Sequence, residues 1–216
     1  MAPGHEAREW ESHQDADRTI RQYFRELSEL ASQVPYISIT RIVAIFLEAF
    51  AEQRTVYVFG NGGSAASASH LMCDINKGVS EAGTGIRPKV IALTDNTSLI
   101  TAWANDSGYE RIFSEQLKTF IRPRDVAFAI STSGDSPNVL LALETARDYG
   151  AMTVGLGGRQ GGQMKSLCDV CAIVPSDNVQ LVEDLHQAMI HSIFIAVRES
   201  LLTGTAKTLM ARAASF

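Results

Sequence analysis

Hydrophobic positions along the chain follow two patterns, which predict helices first and a sheet afterwards. Apolar side chains recur every three or four residues from about 15 to 33, and again from Ser38 to Gln53 after Pro35. Five short apolar runs follow, TVYVF, KVIAL, DVAFAI, AMTVGL and DVCAIV, each bounded by Gly, Pro, Asp or Ser. Runs of this length are typical of strands that a parallel sheet buries on both faces.

Helical segments separate these runs. We predict them at about 64–77, 97–119, 136–149 and 160–167, with a long final helix at about 179–202. Strands that alternate with helices indicate one α/β domain with helices on both faces of its sheet. The two leading helices come before the sheet, and we expect them to form a helical layer used for oligomerisation.

The composition of the chain argues against a nucleic-acid partner and against a membrane partner. The chain has 216 residues, 45% of them hydrophobic and 20% charged, which is enough for one sizeable core. The net charge of −5 is spread along the chain, so we expect no nucleic-acid partner. The longest apolar stretches are near ten residues, too short to span a bilayer, and the polar start does not match a signal peptide. We therefore expect a cytoplasmic protein with no membrane partner.

The three cysteines also favour a cytoplasmic location. Cys73, Cys168 and Cys171 are an odd set in a long chain, which argues against a disulfide framework. Cys168 and Cys171 form a CxxC pair, which suggests redox or zinc chemistry. Because zinc normally takes four ligands and no second pair or nearby histidine completes them, we favour buried or incidental cysteines.

Polar loops follow two of the predicted strands. TVYVF leads into Gly60–Ser64, and DVAFAI leads into Ser131–Asn138, with Pro137 suited to a first helical turn. Ligands of such sheets bind beyond the carboxyl ends of the strands. Free N–H groups, the helix dipole and clustered hydroxyls can hold an anion, and two such loops favour phosphate over ordinary helix caps. A third polar loop, 94–98, fits a simple helix cap equally well.

Two helices carry residues suited to proton transfer or metal binding. His70 and Asp74 are four residues apart after the first polar loop, so they share a helix face. Glu183 and His191 are eight apart on the last helix, about 80° around its axis, so they can point into one cleft. Two histidines and two carboxylates can hold zinc or another divalent metal.

Four motifs in this chain resemble those of a known family. They are GNGGSAASASH, ALTDNTSLITAWANDSGYERIFSEQL, ISTSGDSPNVLLALETARDYG and VEDLHQAMIH. They resemble the sedoheptulose 7-phosphate isomerase (phosphoheptose isomerase) family of sugar isomerase (SIS) domain proteins, over about residues 20 to 200. The resemblance implies a five-stranded parallel sheet flanked by helices, and a homotetramer with active sites between subunits. It also implies aldose–ketose isomerisation of a sugar phosphate, often with zinc.

The resemblance assigns roles to these residues. Isomerisation moves a proton between C1 and C2 through an enediol, with Asp74 as base and His191 as acid partner. His70, Asp74, Glu183 and His191 would hold one metal ion per site. The predicted substrate-binding residues are Asn61, Gly62, Gly63, Ser64, Asp95, Asn96, Ser131, Thr132, Ser133, Ser136 and Asn138.

Three residues in or next to the predicted catalytic and metal site differ from those of the family. Asp74 replaces the glutamate base, Glu183 replaces a glutamine ligand, and Asp184 replaces the glutamate that follows it. The shorter base reaches the substrate only if the helix or metal shifts by about an ångström. The expected substrate is therefore sedoheptulose 7-phosphate, giving D-glycero-D-manno-heptose 7-phosphate, or a related seven- or eight-carbon ketose phosphate. The alternative is a non-catalytic SIS tetramer that binds a sugar phosphate or a protein, as a partner of the replication initiator does.

The domain boundaries follow from the same resemblance. We expect a flexible N-terminus at 1–14, the SIS domain with its N-terminal helices at 15–204, and a C-terminal tail at 205–216.

Overall fold

Five parallel strands form the centre of the molecule. The computed structural model describes the backbone of residues 4–206 and the side chains of residues 15–206. The strands lie in the order β2-β1-β3-β4-β5. They are β1 (Thr55–Gly60), β2 (Lys89–Ala92), β3 (Val126–Ser131), β4 (Met152–Gly158) and β5 (Val170–Val174). The five-stranded parallel sheet predicted from the apolar runs is thus confirmed.

Eight α-helices surround the sheet in the described chain. They are α1 (Gly4–Ala31), α2 (Tyr36–Ala51), α3 (Gly63–Cys73), α4 (Thr97–Ser107), α5 (Ser114–Phe120), α6 (Pro137–Asp148), α7 (Met164–Leu167) and α8 (Val179–Thr203). A π-helical turn (Asp74–Val79) continues α3, and a 3₁₀ turn (Tyr109–Arg111) lies between α4 and α5. Residues 1–3 of the predicted N-terminus and 207–216 of the predicted tail lie outside the described residues.

Three helix boundaries differ from the sequence prediction. Helix α1 begins at Gly4 rather than near 15, because Glu, Ala, Arg and Gln favour helix even where no apolar spacing marks it. The helix predicted at 97–119 is broken at Gly108, whose φ of 97° is incompatible with a continuing helix. The helix predicted at 160–167 is reduced to one turn, since Gly161 and Gly162 also have positive φ.

Both faces of the sheet are buried, which explains the near-continuous apolar runs. In β1, Val56 and Val58 face one core while Tyr57 and Phe59 face the other. The first core joins α2, α3 and α8 to the sheet, and Phe46 of α2 meets Phe128 of β3 edge to face at 5.6 Å. The second core contains residues of α5 and α6. The sheet is therefore covered on both faces, with α8 and α3 on the same face.

Within the residues searched, no single helix is long and apolar enough to cross a membrane. Residues 15–31 of α1 and helix α2 pass that test only as a pair, and they are bent by 70° relative to each other.

The strand order creates a crevice between β1 and β3. The connection after β1 runs to β2 on one side, and the connection after β3 runs to β4 on the other. Where neighbouring strands diverge in this way, the loops at their carboxyl ends separate and leave space for a ligand. The two polar loops predicted to bind phosphate follow β1 and β3, so both border this crevice.

The loop after β3 packs backbone to backbone against the loop after β4. Gly134 has a φ of 71°, and a Cβ placed on it would lie 2.1 Å from the carbonyl oxygen of Gly161. Gly204, which ends α8, has the same φ of 71°, but no described atom lies within 4 Å of its Cβ position. Substitutions at these two glycines therefore distinguish the cost of a left-handed backbone, present at both, from the cost of a steric clash, present only at Gly134.

We expect Gly134→Ala to destabilise the protein more than Gly204→Ala. A left-handed conformation costs an alanine about 1–2 kcal/mol at either position. Only Gly134→Ala adds a clash with a backbone atom that cannot rotate away. Melting temperatures of the two variants and the wild type would measure the difference. Equal losses would show that the two loops do not pack as described.

Candidate active site

A pair of amides joins the two polar loops at the crevice. Asn61 Nδ2 donates to Asn138 Oδ1 at 2.9 Å, and Asn138 Nδ2 donates to Asn61 Oδ1 at 2.8 Å. Tyr109 adds a third bond, since its hydroxyl donates to Asn61 Oδ1 at 3.2 Å. Both asparagines were predicted to bind substrate. The structure gives them a further use, which is to fix the distance between the loop after β1 and the loop after β3.

The loop after β3 offers hydroxyl protons to a ligand. Ser131 Oγ accepts from the Gly134 N–H at 3.1 Å, and Ser133 Oγ accepts from the Asp135 N–H at 3.2 Å. Each hydroxyl has one proton to donate besides the lone pairs used here. Ser136 is the N-cap of α6, and in the described structure its side chain forms no capping hydrogen bond. Free hydroxyl protons at an uncapped helix start suit an anion such as phosphate.

The loop after β1 is approached by a carboxylate from α8. Gly62 and Gly63 are exposed, while Ser64 is buried at the start of α3. A Cβ placed on Gly63 would lie 2.8 and 2.9 Å from the two carboxylate oxygens of Glu183. The Glu183 carboxylate therefore packs directly on the Gly63 backbone.

The third polar loop is tied to neighbouring helices. Asn96 Oδ1 accepts from the Leu99 N–H at 3.0 Å and so caps α4, as the helix-cap alternative predicted. The Asp95 carboxylate accepts a hydrogen bond from the Ser69 hydroxyl of α3. This loop thus holds α3 and α4 together beside the crevice.

Two histidines and a carboxylate converge where α3 meets α8. His70 Nε2 lies 3.0 Å from His191 Nε2 and 3.2 Å from Asp74 Oδ2, and His191 Nε2 lies 3.9 Å from the same oxygen. Among the described residues these three groups form a candidate metal cluster, whose ligand atoms all lie within 4.8 Å of one another. The imidazoles are about half exposed, at 49% for His70 and 48% for His191.

The donor set fits a divalent metal. Two ligands bound tetrahedrally to zinc at 2.0–2.1 Å lie about 3.4 Å from each other, close to the separations found here. Imidazole nitrogen and carboxylate oxygen are both ligands that zinc accepts. Glu183, the fourth predicted ligand, is not brought into this cluster and lies instead on Gly63.

A π-helical turn positions Asp74. The turn begins at Asp74 and is anchored by Asn76, which donates to the Val90 carbonyl at 2.8 Å and accepts from the Val90 N–H at 3.1 Å. Turns of this kind are rare and frequently occur at functional sites. The periodicity of the sequence predicted an ordinary helix through this segment and gave no sign of the change.

Gln187 is a neighbour of the cluster that the sequence analysis missed. Its Nε2 lies 3.0 Å from His191 Nε2. The spacing alone could have identified it, because residues four apart on a helix share a face.

His186 belongs to the interior rather than to the cluster. It is 1% exposed, and its Nε2 forms a 3.0 Å hydrogen bond with the Gly157 carbonyl. Burial lowers the pKa of His186 to about 4, and the bond to Gly157 opposes this only in part. A neutral His186 therefore supports the end of β4.

The CxxC pair lies on the other core. Both sulfurs pack on Gly155 of β4, where a Cβ would lie 2.9 Å from Cys168 Sγ and 3.1 Å from Cys171 Sγ. Hydrogen bonding to Cys171 and burial raise the pKa of the Cys168 thiol. All three cysteines, each within the described chain, are free thiols.

Comparisons with known proteins identify the family. The family described as SIS domain matches residues 22–158. The chain is 42% identical over 155 residues to a phosphoheptose isomerase of Trichlorobacter lovleyi, covering 72% of this chain and 78% of that protein. It is 35% identical over 186 residues to one from Aliarcobacter butzleri, covering 86% and 92%.

Solved structures agree with the sequence comparisons. The structure of a phosphoheptose isomerase from Neisseria gonorrhoeae matches with a TM-score of 0.78 and 27% identity, covering 85% of this chain and 99% of that one. From the shared domain, the identities and this coverage, it follows that the chain belongs to the phosphoheptose isomerase family of SIS-domain proteins.

Proposed function

We propose that the protein is an aldose–ketose isomerase that interconverts sedoheptulose 7-phosphate and D-glycero-D-manno-heptose 7-phosphate, or a related seven- or eight-carbon pair. The observation that carries this proposal is the convergence of His70, Asp74 and His191 beside the hydroxyl-rich loops of the crevice. Relatives 35–42% identical to this chain are named phosphoheptose isomerases, which supports the same activity.

Asp74 is the proposed base of the reaction. Isomerisation removes a proton from C1 or C2 and returns it to the other carbon, while the oxygens exchange their carbonyl and hydroxyl character. The Asp74 carboxylate is 25% exposed, so it is accessible to a sugar, and His70 Nε2 at 3.2 Å can orient it. His191 is the proposed acid partner at the sugar oxygens.

The same residues would hold a divalent metal, zinc being our first expectation. When bound, such a metal supplies Lewis-acid stabilisation of the developing oxyanion. His70, Asp74 and His191 are the proposed ligands, with Glu183 as the fourth ligand predicted from the family resemblance. A ring nitrogen that binds metal has no proton to donate, so the two proposed roles of His191 exclude each other at Nε2. A comparison of activity with metal content would separate them.

The loops of the crevice are proposed to bind the rest of the substrate. Ser131, Thr132, Ser133 and Ser136, together with the start of α6, would hold the phosphate. Asn61, Gly62, Gly63 and Ser64 would contact the sugar, and Asp95 and Asn96 would line its edge. Asn138, which is hydrogen-bonded to Asn61, would contact the substrate beside it. The proposed ligand is a small sugar phosphate and not a nucleic acid.

The proposed assembly is a homotetramer with active sites at subunit interfaces. Phe24 of α1 is 64% exposed and Ile37 of α2 is 62% exposed. An apolar groove of about 310 Å³ lies between these helices and α8, the helix that carries His191. Exposed apolar surface on these helices supports its burial by neighbouring subunits. The free thiols support a cytoplasmic location.

We expect Asp74→Asn to lower turnover by at least about 10²–10⁴, because an amide cannot accept the proton. The product aldose phosphate would be assayed with sedoheptulose 7-phosphate, and circular dichroism would check folding. Asp74→Glu, which restores the residue of the family, should keep or raise activity. The control is Asp148→Asn, at the exposed end of α6. Normal turnover by Asp74→Asn would refute its role as base, whereas a wild type that turns over no ketose phosphate would favour the non-catalytic alternative.

We expect Ser133→Ala and Ser131→Ala mainly to raise KM. Phosphate is bound alike in the ground state and the transition state, so loss of a donor weakens both states equally. Steady-state kinetics with a panel of five- to eight-carbon ketose phosphates would measure the effect and the preferred chain length. Ser32→Ala at the end of α1 is the control. If neither loop variant changed KM, the phosphate would have to bind elsewhere.

We expect the protein to be a tetramer at micromolar concentration and Phe24→Asp to dissociate it. The matched control is Phe120→Asp, since Phe120 is 51% exposed at the end of α5, a helix of the second core, whereas α2 belongs to the first. Light scattering would give the mass of each. A monomeric wild type, or equal dissociation by both substitutions, would contradict assembly through α1 and α2.

A further inference from the structure

A second cavity lies at the end of the sheet opposite the crevice. Its volume is about 330 Å³, and it opens where β1 and β2 begin. We call it the basic cavity, and its lining includes Arg54, Tyr57, Lys89, Phe120, Arg122 and Asp125. Thr55, which also lines it, and Gly60 are the two ends of β1, about 16 Å apart along the strand. The basic cavity is therefore separate from the loops proposed to bind substrate.

Positive charge exceeds negative charge in the basic cavity, although the net charge of the chain is −5. Arg54, Lys89 and Arg122 carry the positive charges, and Asp125 is the one carboxylate among the described residues that line it. Asp125 is 3% exposed, and its two oxygens accept from the Thr55 N–H at 2.9 Å and the Arg122 N–H at 2.8 Å. The carboxylate is therefore engaged by the backbone that leads into β1 and β3.

The cations of the basic cavity have hydrogen-bond donors that the described chain does not use. Of the ion pairs formed between residues 15 and 206, only one includes such a cation, and it joins Arg54 Nε to Glu52 at 3.6 Å. That separation is too long for a hydrogen bond, and Arg54 Nε is buried with no acceptor in this part of the chain. Lys89 Nζ donates to the Gln53 carbonyl at 3.1 Å, which leaves two of its three protons. A buried donor without an acceptor is costly, so an anionic oxygen bound here would be stabilising.

The uncharged groups of the basic cavity suit a small metabolite. Burial and the negative charge of Asp125 raise the pKa of Tyr57, so its hydroxyl keeps a proton to donate. The Phe120 ring is 51% exposed at the end of α5 and forms an apolar wall. Sites for small molecules have volumes of about 300–1,000 Å³ and combine apolar walls with a few polar groups. The basic cavity lies at the lower end of that range.

We propose that the basic cavity is a second ligand site, which binds a small metabolite through its phosphate group. A phosphate monoester carries a charge of about −1.5 to −2 at neutral pH, which matches the excess of positive charge there. Arg122 and Lys89 would pair with the phosphate oxygens, since a guanidinium binds two of them at once and an ammonium acts as a point charge. Arg54 Nε would donate to another oxygen. This site goes beyond the proposed isomerisation and does not depend on it.

Protection of Lys89 from chemical acetylation tests this site in the full-length protein. Inorganic pyrophosphate is the probe, and mass spectrometry follows the acetylation rate of each lysine. Once pyrophosphate fills about nine-tenths of the sites, acetylation of Lys89 should slow by about tenfold. Lys118 of α5, which pairs with Glu115 outside the cavity, is the internal control and should react at an unchanged rate. No protection of Lys89, or equal slowing of both lysines, would overturn the proposal.

Substitutions separate the basic cavity from the crevice. Arg122→Gln should raise the pyrophosphate concentration that protects Lys89 by about 10–100-fold, because it removes a charged donor. The matched control is Arg124→Gln, since Arg124 is paired with Glu48 and Glu52 and does not line the cavity. Ser133→Ala, which weakens the phosphate site proposed in the crevice, should leave the protection of Lys89 unchanged. Melting temperatures would check folding. Wild-type protection in Arg122→Gln, or protection lost in Ser133→Ala, would contradict a site in the basic cavity.

Discussion

The close approach of α8 to α3 is the constraint on which the candidate site depends. His70 and His191 are 121 residues apart in sequence, yet their ring nitrogens lie 3.0 Å from each other. Two glycines permit this approach. Gly63 admits the Glu183 carboxylate at one end of the segment, and Gly78 admits the Phe194 ring at the other, where a Cβ would lie 2.5 Å from Cζ. His70 of α3 and Asp74 of the π-helical turn lie between these two contacts, so the glycines set the spacing of the cluster.

The crevice depends on a second constraint, which is the pairing of Asn61 with Asn138. The two side chains exchange a pair of hydrogen bonds between the loops that follow β1 and β3, whose chain connections run in opposite directions along the sheet. The loops therefore keep a fixed separation without a ligand. Ser131 and Ser133 are likewise held by backbone N–H groups of their own loop. Binding groups that are already ordered lose little conformational entropy when a substrate arrives.

Much of the fold could be predicted from the sequence, because strands that are buried on both faces consist almost entirely of apolar residues. Each strand is an apolar run, and the amphipathic spacing marks α2, α6 and α8. The break at Gly108 was missed because helical spacing continues on both sides of it, and the π-helical turn at Asp74 was missed because one extra residue barely changes the pattern. Local periodicity contains no information about such breaks.

The candidate site could be predicted in part for a similar reason. His70 and Asp74 lie on one face of one helix, so their spacing determines their proximity. The angle of about 80° between Glu183 and His191 indicated a common direction but neglected the about 12 Å that separates them along the axis. Gln187, halfway between, was not considered. Proximity across helices depends on translation as well as rotation, and only the packed structure provides both.

Helix α4, which is entirely within the described chain, contains no buried residue, in contrast to α3 with three. Segments with few buried apolar contacts open at a lower free energy than the rest of a domain. The chain that follows α4 places the Tyr109 hydroxyl on Asn61, so this weakly held segment borders the mouth of the crevice. Displacement of α4 would break one hydrogen bond there and leave the amide pair and the histidine cluster in place. A long, hydrated sugar phosphate could thus enter beside this weakly held helix, while the amide pair and the histidine cluster stay in place.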